Sequence, residues 1–230
     1  VQSFWNSPSI AKHVGLKAVD LFEAVESGKI KAIWIMATNP VVSLPNADQV
    51  KRALNSCEFV VVSDICKDTD TTQFADVLLP ALGWGEKDGT VTNSERRISR
   101  QRAFLDPPEQ AKADWWAVAQ VAKKLGFTGF DFANSHEIFK EHAQLSAYQN
   151  AEVNARSNTQ SFRYFNLQGL TDLSLDEYDQ LAPIQWPVII RNQAEHAYAQ
   201  LFSQGQFSHA DGKAKFIATT AIPPGTRTSY

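Results

Sequence analysis

Continuous apolar runs that end at turn residues, separated by short helix-forming stretches, are the feature that most constrains this chain. Residues 32–37 (AIWIMA) carry no polar side chain and stop at Thr38-Asn39-Pro40, and residues 59–63 (FVVVS) repeat the pattern and stop at Asp64. A strand that reads apolar without alternation belongs in a parallel sheet, buried on both faces. Val77, Leu78 and Leu79, closed by Pro80, make a third short strand. Between them lie helix signals. Val19, Phe22 and Val25 share one helical stripe ended by Gly28. Asn46 and Gln49 form a capping pair for a helix through Leu54, and Thr69 to Ala75 reads as a short helix capped by Thr69 or Asp70. Residues 18–80 therefore predict an α/β layer with parallel strands.

Past Pro80 the turn formers Gly83, Gly85, Lys87-Asp88-Gly89 and Asn93 lead into the run ERRISRQRAF, which predicts loops and a β-hairpin. Asp114 offers an N-cap to a helix whose apolar face is Trp115, Val118, Val121, Ala122 and Leu125, stopped by Gly126. Ser135 caps a further helix to about Tyr148, with Ile138, Phe139, His142 and Leu145 on its apolar side. Residues 175–181 make another short helix, and Asp211-Gly212 sits between β-prone stretches as a hairpin turn.

Charge and cysteine content exclude several classes. With 22 Lys+Arg against 25 Asp+Glu the net charge is −3, without the basic excess that nucleic-acid or anionic-membrane binding requires. Strand alternation sets Arg96, Arg100 and Arg102 on one face beside Ile98, which fits ion pairs across an internal interface better than a phosphate track. Cys57 and Cys66 suit neither a metal site nor a disulfide framework and read as buried thiols. No apolar run approaches the ~20 residues that cross a bilayer, so membrane insertion is not expected. The first ten residues show neither the basic nor the apolar part of a secretory signal, and the chain opens on Val1, so a start codon is expected upstream.

Ligands of open parallel sheets bind outside the carboxyl ends of the strands. Three such ends are legible: the Asn39 turn, Ser63-Asp64, and the stretch from Pro80 to Lys87. An amide, a hydroxyl beside a carboxylate, and a lysine form a sensible set for a nucleotide, the carboxylate accepting from ribose hydroxyls or the guanine N1 and N2 edge, the lysine meeting a phosphate. Plain structural readings stand beside this one. Asn before Pro is a common turn, a strand-end Asp caps helices, and Lys in a Lys-Asp-Gly turn is usually solvated. The dinucleotide fingerprint, the P-loop and the nucleophile elbow are absent, and the histidines form no metal-ligand motif.

Three segments, IWIMATNPVVSLPNADQVKRAL, FVVVSDICKDTDTTQFADVLLPALGWGEKDGTVTNSERRISRQRAF and DWWAVAQVAKKLGF, resemble the molybdopterin oxidoreductases of the dimethyl sulfoxide reductase family, most of all its assimilatory nitrate reductase branch. QWPV and ADGKAKFIAT add weaker likeness. The resemblance implies a Rossmann-like layer at residues 18–128, part of a discontinuous αβα domain with a hairpin insertion, followed by a helical and hairpin extension at 129–230. It implies a bis(molybdopterin guanine dinucleotide) molybdenum cofactor, a [4Fe–4S] cluster held elsewhere in the subunit, and reduction of nitrate to nitrite in the cytoplasm. The implied partners are the remaining domains of the same catalytic subunit and an electron donor protein or subunit. On this likeness the chain is an internal piece, inactive alone, whose counterpart in a formate dehydrogenase or a periplasmic nitrate reductase is the alternative, as is a stand-alone binding module. Matching motifs puts the cofactor contacts on Asn39, Ser63, Asp64, Lys87 and Asp114; only Asp114 was not already among the strand ends. No residue here is implied as catalytic or as a metal ligand.

Overall fold

The computed structural model describes residues 1–108, 110–150 and 163–190, and in the tail 202, 205, 207, 209 and 211–219. Two compact units divide the chain, Val1–Asn192 and Gln193–Tyr230.

In the first unit, helix α1 (Ala18–Glu26) ends as Gly28 takes a left-handed φ of +71°, which turns the chain into strand β1 (Ala32–Met36). The short helix α2 (Pro40–Ser43) and helix α3 (Ala47–Ser56) lead to β2 (Phe59–Asp64), and β3 (Val77–Pro80) completes a parallel sheet ordered β1-β2-β3. Phe22 and Val25 from α1, Val50 and Leu54 from α3, and Ile35, Val60 and Val62 from the strands form one core. This is the mixed α/β architecture anticipated from the alternating pattern. Burial is one-sided, however. Val60 and Val62 are buried while Phe59 stays 46% exposed, because strand neighbours point to opposite faces and α1 and α3 cover only one of them among the described residues.

Asn46 caps α3 as expected, but from a left-handed backbone at φ +58°, its side chain accepting from Gln49 N–H. A left-handed residue with a side-chain acceptor suits Asn and penalises residues with a Cβ and no acceptor. Asn46→Ala is expected to lower the unfolding free energy of this chain by about 1–2 kcal/mol, and Asn46→Gly by about half as much or less, as read from urea denaturation. Equal losses in the two variants would show that the backbone conformation is not what Asn46 supplies.

The helix expected over Thr69 to Ala75 is a single 3-10 turn, Thr72–Phe74. Thr69 N–H donates to the Thr72 hydroxyl at 2.7 Å and Thr72 N–H to the Thr69 hydroxyl at 3.1 Å, a reciprocal pair that closes the turn before β3 begins.

A second, antiparallel sheet has the order β4 (Gly89–Thr92), β5 (Arg97–Gln101) and β6 (Ile184–Gln185). The anticipated hairpin is β4-β5; β6 is an addition, paired through Arg97↔Gln185 and Ile98↔Ile184. Against this sheet pack helix α5 (Ser135–Ala147), the turn near Leu170, and helix α6 (Leu175–Asp179), with Ile98, Phe139, Leu167, Leu170, Tyr178 and Val188 as their shared core. Asn134, not Ser135, caps α5, its side chain accepting from Glu137 N–H.

Arg100 of β5 and the flanking Arg96 and Arg102 make internal contacts. The Arg100 side chain is 1% exposed, lies 2.8 Å from both Asp88 and Asp179, and stands 4.0 Å from the centroid of the Tyr178 ring. Burial works against its charge, but hydrogen bonds to Asp88 and Asp179 outweigh it and hold the guanidinium above its ordinary range. Arg102 donates to the Asp179 carbonyl, and Arg96 lies over the Trp186 ring.

Helix α4 (Asp114–Lys124) buries only one edge of its expected face. Ala119 and Ala122 are buried, whereas Val118, Val121 and Leu125 are exposed. Cys66 is exposed and Cys57 only half-buried, so neither is the buried thiol that the sequence suggested. Both lie at the margins of β2, outside its covered stretch. Among the described residues no group of His, Cys, Asp and Glu can hold a metal ion, and no helix is long and apolar enough to cross a membrane.

In the second unit the Asp211-Gly212 turn forms, with Gly212 at φ +68° and Phe207 N–H donating to the Gly212 carbonyl. No strand flanks it among the described residues.

Candidate functional site

The parallel register fixes where the strand ends lie. Met36 pairs with Ser63, Ser63 with Leu79, and Asp64 with Pro80. Beyond β3, Ala81 bridges Lys112 in parallel, and Lys112 N–H donates to the Pro80 carbonyl while Leu82 N–H donates to the Lys112 carbonyl. Residues just before α4 thus meet the carboxyl end of β3 through a single isolated parallel bridge. Three carboxyl ends therefore share one rim, marked by the Asn39 turn, by Ser63-Asp64 and by the loop to Lys87, and the bridge at Lys112 leads the chain from it into Asp114.

Ser63 is buried and its hydroxyl oxygen accepts from the Trp34 indole N–H at 2.8 Å. Asp64, next along the strand, is half-buried, and its Oδ1 accepts from Cys66 N–H at 2.9 Å, so it closes a local turn and does not cap the next helical turn, whose cap position is Thr71. Lys87 is not a solvated turn lysine: its Nζ lies 2.8 Å from Asp114 Oδ2, and the two side chains are about 30% exposed. Asp114 is the first residue of α4 and does not cap it; Ala113 holds the cap position. Its second oxygen, Oδ1, is buried without a hydrogen-bond partner.

That orphaned oxygen belongs to a residue lining a cavity of about 100 Å³, which Ser63, Pro80, Lys112 and Trp116 also line. The structure thus brings Ser63, Lys87 and Asp114 together, with Asp64 adjacent to Ser63 in the same strand. Asn39 stands apart from these four, its Oδ1 accepting from the Thr71 hydroxyl at 2.6 Å. Carboxylates, lysines and a hydroxyl at one rim can meet a ligand that carries both anionic oxygens and a hydrogen-bond donor edge.

Sequence reasoning did not single out Trp34, Thr71 or Lys112. Strand parity was the available signal for Trp34, since it lies two residues from Met36, the register partner of Ser63, and so shares a face with Ser63. For Thr71 and Lys112 no local signal exists, because their roles depend on segments far away in the chain.

The family model described as "Molybdopterin oxidoreductase" matches residues 4–124, a span that contains all five candidate residues. The chain is 53% identical over 219 residues to a nitrate reductase of Shewanella frigidimarina, covering 95% of this chain and 23% of that protein. It is 48% identical to a nitrate reductase of Klebsiella oxytoca, covering 96% and 24%. An F420-dependent formate dehydrogenase subunit alpha of Methanocaldococcus jannaschii is 33% identical, covering 94% and 28%. Among solved structures, acetylene hydratase from Pelobacter acetylenicus superposes with a TM-score of 0.57 at 17% identity, covering 85% of this chain and 23% of that one, a likeness of fold. The chain spans about a quarter of the length of the curated relatives it matches. On the family match over more than half its residues, and on the α/β fold built beneath it, this chain belongs to the molybdopterin oxidoreductase family.

Proposed function

We propose that this chain is the part of a nitrate reductase catalytic subunit that cradles a molybdopterin guanine dinucleotide, and that the complete subunit reduces nitrate to nitrite. Asp114 carries the reading. A carboxylate oxygen buried without a partner is costly unless a ligand supplies the missing donor, and the guanine N1 and N2 hydrogens or a ribose hydroxyl are donors of the right kind. The residues present fit the group. Asp114 and Asp64 accept from its nucleotide, Lys87 faces a phosphate or pterin oxygen, and Ser63 and Asn39 add hydrogen bonds. When bound, the metal and pterin supply the two-electron chemistry; this chain holds and orients them and limits water access.

Nitrate is favoured over formate because the two nitrate reductases match at 53% and 48% and the formate dehydrogenase at 33%, over similar shares of this chain. The second cofactor of the bis form, a [4Fe–4S] cluster, the protein ligand to molybdenum and the docking site of an electron donor belong, on this reading, to the rest of a cytoplasmic subunit. The uncovered sheet face and the exposed stripe on α4 then pack against those parts. The test is to purify the intact subunit from soluble extract, quantify molybdenum and acid-released GMP, and follow nitrate consumption with a reduced dye. Two GMP per molybdenum with nitrite formed supports the proposal. Formate oxidation without nitrite moves the chain to the formate branch, and molybdenum without GMP overturns the dinucleotide assignment.

A further inference from the structure

Thr71 lies between β2 and β3 with no exposed surface. Its hydroxyl oxygen accepts from Val41 N–H at 3.2 Å, and its proton is donated to Asn39 Oδ1 at 2.6 Å. These two contacts set the direction of the Asn39 amide. Val41 N–H can only donate, so the Thr71 oxygen is already an acceptor there, and the hydroxyl proton of a fully buried group needs an acceptor of its own. Asn39 offers it only if its carbonyl oxygen faces Thr71; the reversed amide would leave a buried hydroxyl proton unpaired. The two Nδ2 hydrogens of Asn39 are thereby turned away from Thr71, and they make no hydrogen bond among the described residues. Pro40, which follows, has no N–H to compete with them.

We propose that Thr71 is a positioning residue that presets Asn39 as a hydrogen-bond donor, so that the β1 end of the rim takes an acceptor oxygen of the cofactor while Asp64 and Asp114 take its donors. The proposal rests on the cofactor reading given above. It gives the β1 end of the rim a directed amide donor, distinct from the acceptor carboxylates at the end of β2 and at the start of α4, where Lys87 beside Asp114 is the charged donor. A ligand that brings an oxygen to Asn39 is matched there, and one that brings an N–H to the same place sets donor against donor.

Cofactor release from the intact loaded subunit tests this, read as free pterin fluorescence and GMP after dilution, with thermal unfolding recorded alongside. Thr71→Val keeps the volume and removes the hydroxyl, and release is expected to quicken about fivefold. Thr71→Ser, which keeps the hydroxyl, stays within about twofold of wild type. Asn39→Ala quickens release as Thr71→Val does, and the double variant is no faster than Asn39→Ala alone, because Thr71 acts through Asn39. Asn39→Asp still accepts from Thr71 but replaces the amide hydrogens with an oxygen, and it releases cofactor at least as fast as Asn39→Ala. Multiplying effects in the double variant would make Thr71 an independent structural residue and overturn the proposal. So would wild-type release from Asn39→Asp, which decides the matter even if Thr71→Val fails to accumulate as folded protein. A wild-type subunit that carries no pterin is a different failure, visible without any variant, and it removes the cofactor reading together with the inference built on it.

Discussion

Asp114→Ala in the intact subunit lowers cofactor retention by about ten- to a hundredfold relative to wild type, the largest functional effect expected of any single change in this chain. Two losses combine. The carboxylate presents one oxygen to Lys87 and keeps the other buried and unpartnered beside the cavity it shares with Ser63. Charge-assisted hydrogen bonds contribute about 1.5–3 kcal/mol each, and about 1.4 kcal/mol is a factor of ten, so losing one such bond to the ligand spans the range given. Removing the carboxylate also frees the Lys87 ammonium, held at 2.8 Å, to swing away from any phosphate it faces. Asp114→Asn discriminates further: it keeps one acceptor but sets an amide donor against ligand donors, and it is expected to fall between alanine and wild type. Asp131→Ala is the control, since the Lys123–Asp131 pair is 3.3 Å apart with the carboxylate 82% exposed, and such surface pairs contribute about 0–1 kcal/mol. Molybdenum and GMP per polypeptide read the result. Wild-type content in Asp114→Ala would remove Asp114 from the site and leave the orphaned oxygen without a function.

What could be read in the sequence was local, and what could not depended on tertiary context. The rim was legible because each parallel strand marks its end with a turn-prone residue, Asn39-Pro40 after β1, Asp64 as the last residue of β2 and Pro80 as the last of β3. The Lys87–Asp114 contact was not, for it joins residues 27 apart across the β4-β5 hairpin, and Asp114 entered the site by family likeness alone. Periodicity on α4 marked one apolar stripe, yet of that stripe only Ala122 is buried, with Ala119 beside it, while Val118, Val121 and Leu125 are exposed. A helical pattern says which side chains share a face, whereas the partner available decides which face is covered. Strand β6 spans two residues, too few for any alternation to register, and exists because β5 has an edge for it to pair with. The Cys66 thiol is exposed because the chain has already left the sheet by that residue, a boundary that composition does not reveal.

Arg100→Met is expected to lower the unfolding free energy of this chain by about 2–3 kcal/mol, and Tyr178→Ala by about 3–5 kcal/mol, while Tyr178→Phe costs under about 1 kcal/mol. The ranking follows from burial. Tyr178 is 1% exposed and packs on Phe139 and His136 as well as on Arg100, so truncation leaves a cavity in the second core. Its hydroxyl reaches Ser135 only at 3.4 Å, a weak bond whose loss is minor. Removing a buried arginine that holds two carboxylates would usually cost more than the figure given, but Asp88 and Asp179 are 46% and 59% exposed and regain water once released. The orphaned Arg100 Nε also disappears in the variant, which offsets part of the loss. The contact with the Tyr178 ring is desolvated and does not depend on ionic strength, so 1 M NaCl should leave most of the Arg100→Met effect in place, unlike that of an exposed ion pair. Urea denaturation followed by tryptophan fluorescence measures all three variants. An Arg100→Met loss that vanishes in high salt would mean that the guanidinium is held by its carboxylates alone. Asp88 directly follows Lys87 and accepts from Ser135 as well as from Arg100, so the same buried cation anchors the turn from which Lys87 reaches Asp114. The stability of the antiparallel sheet and the geometry of the rim therefore share one guanidinium, and a variant that loosens the first is expected to loosen the second.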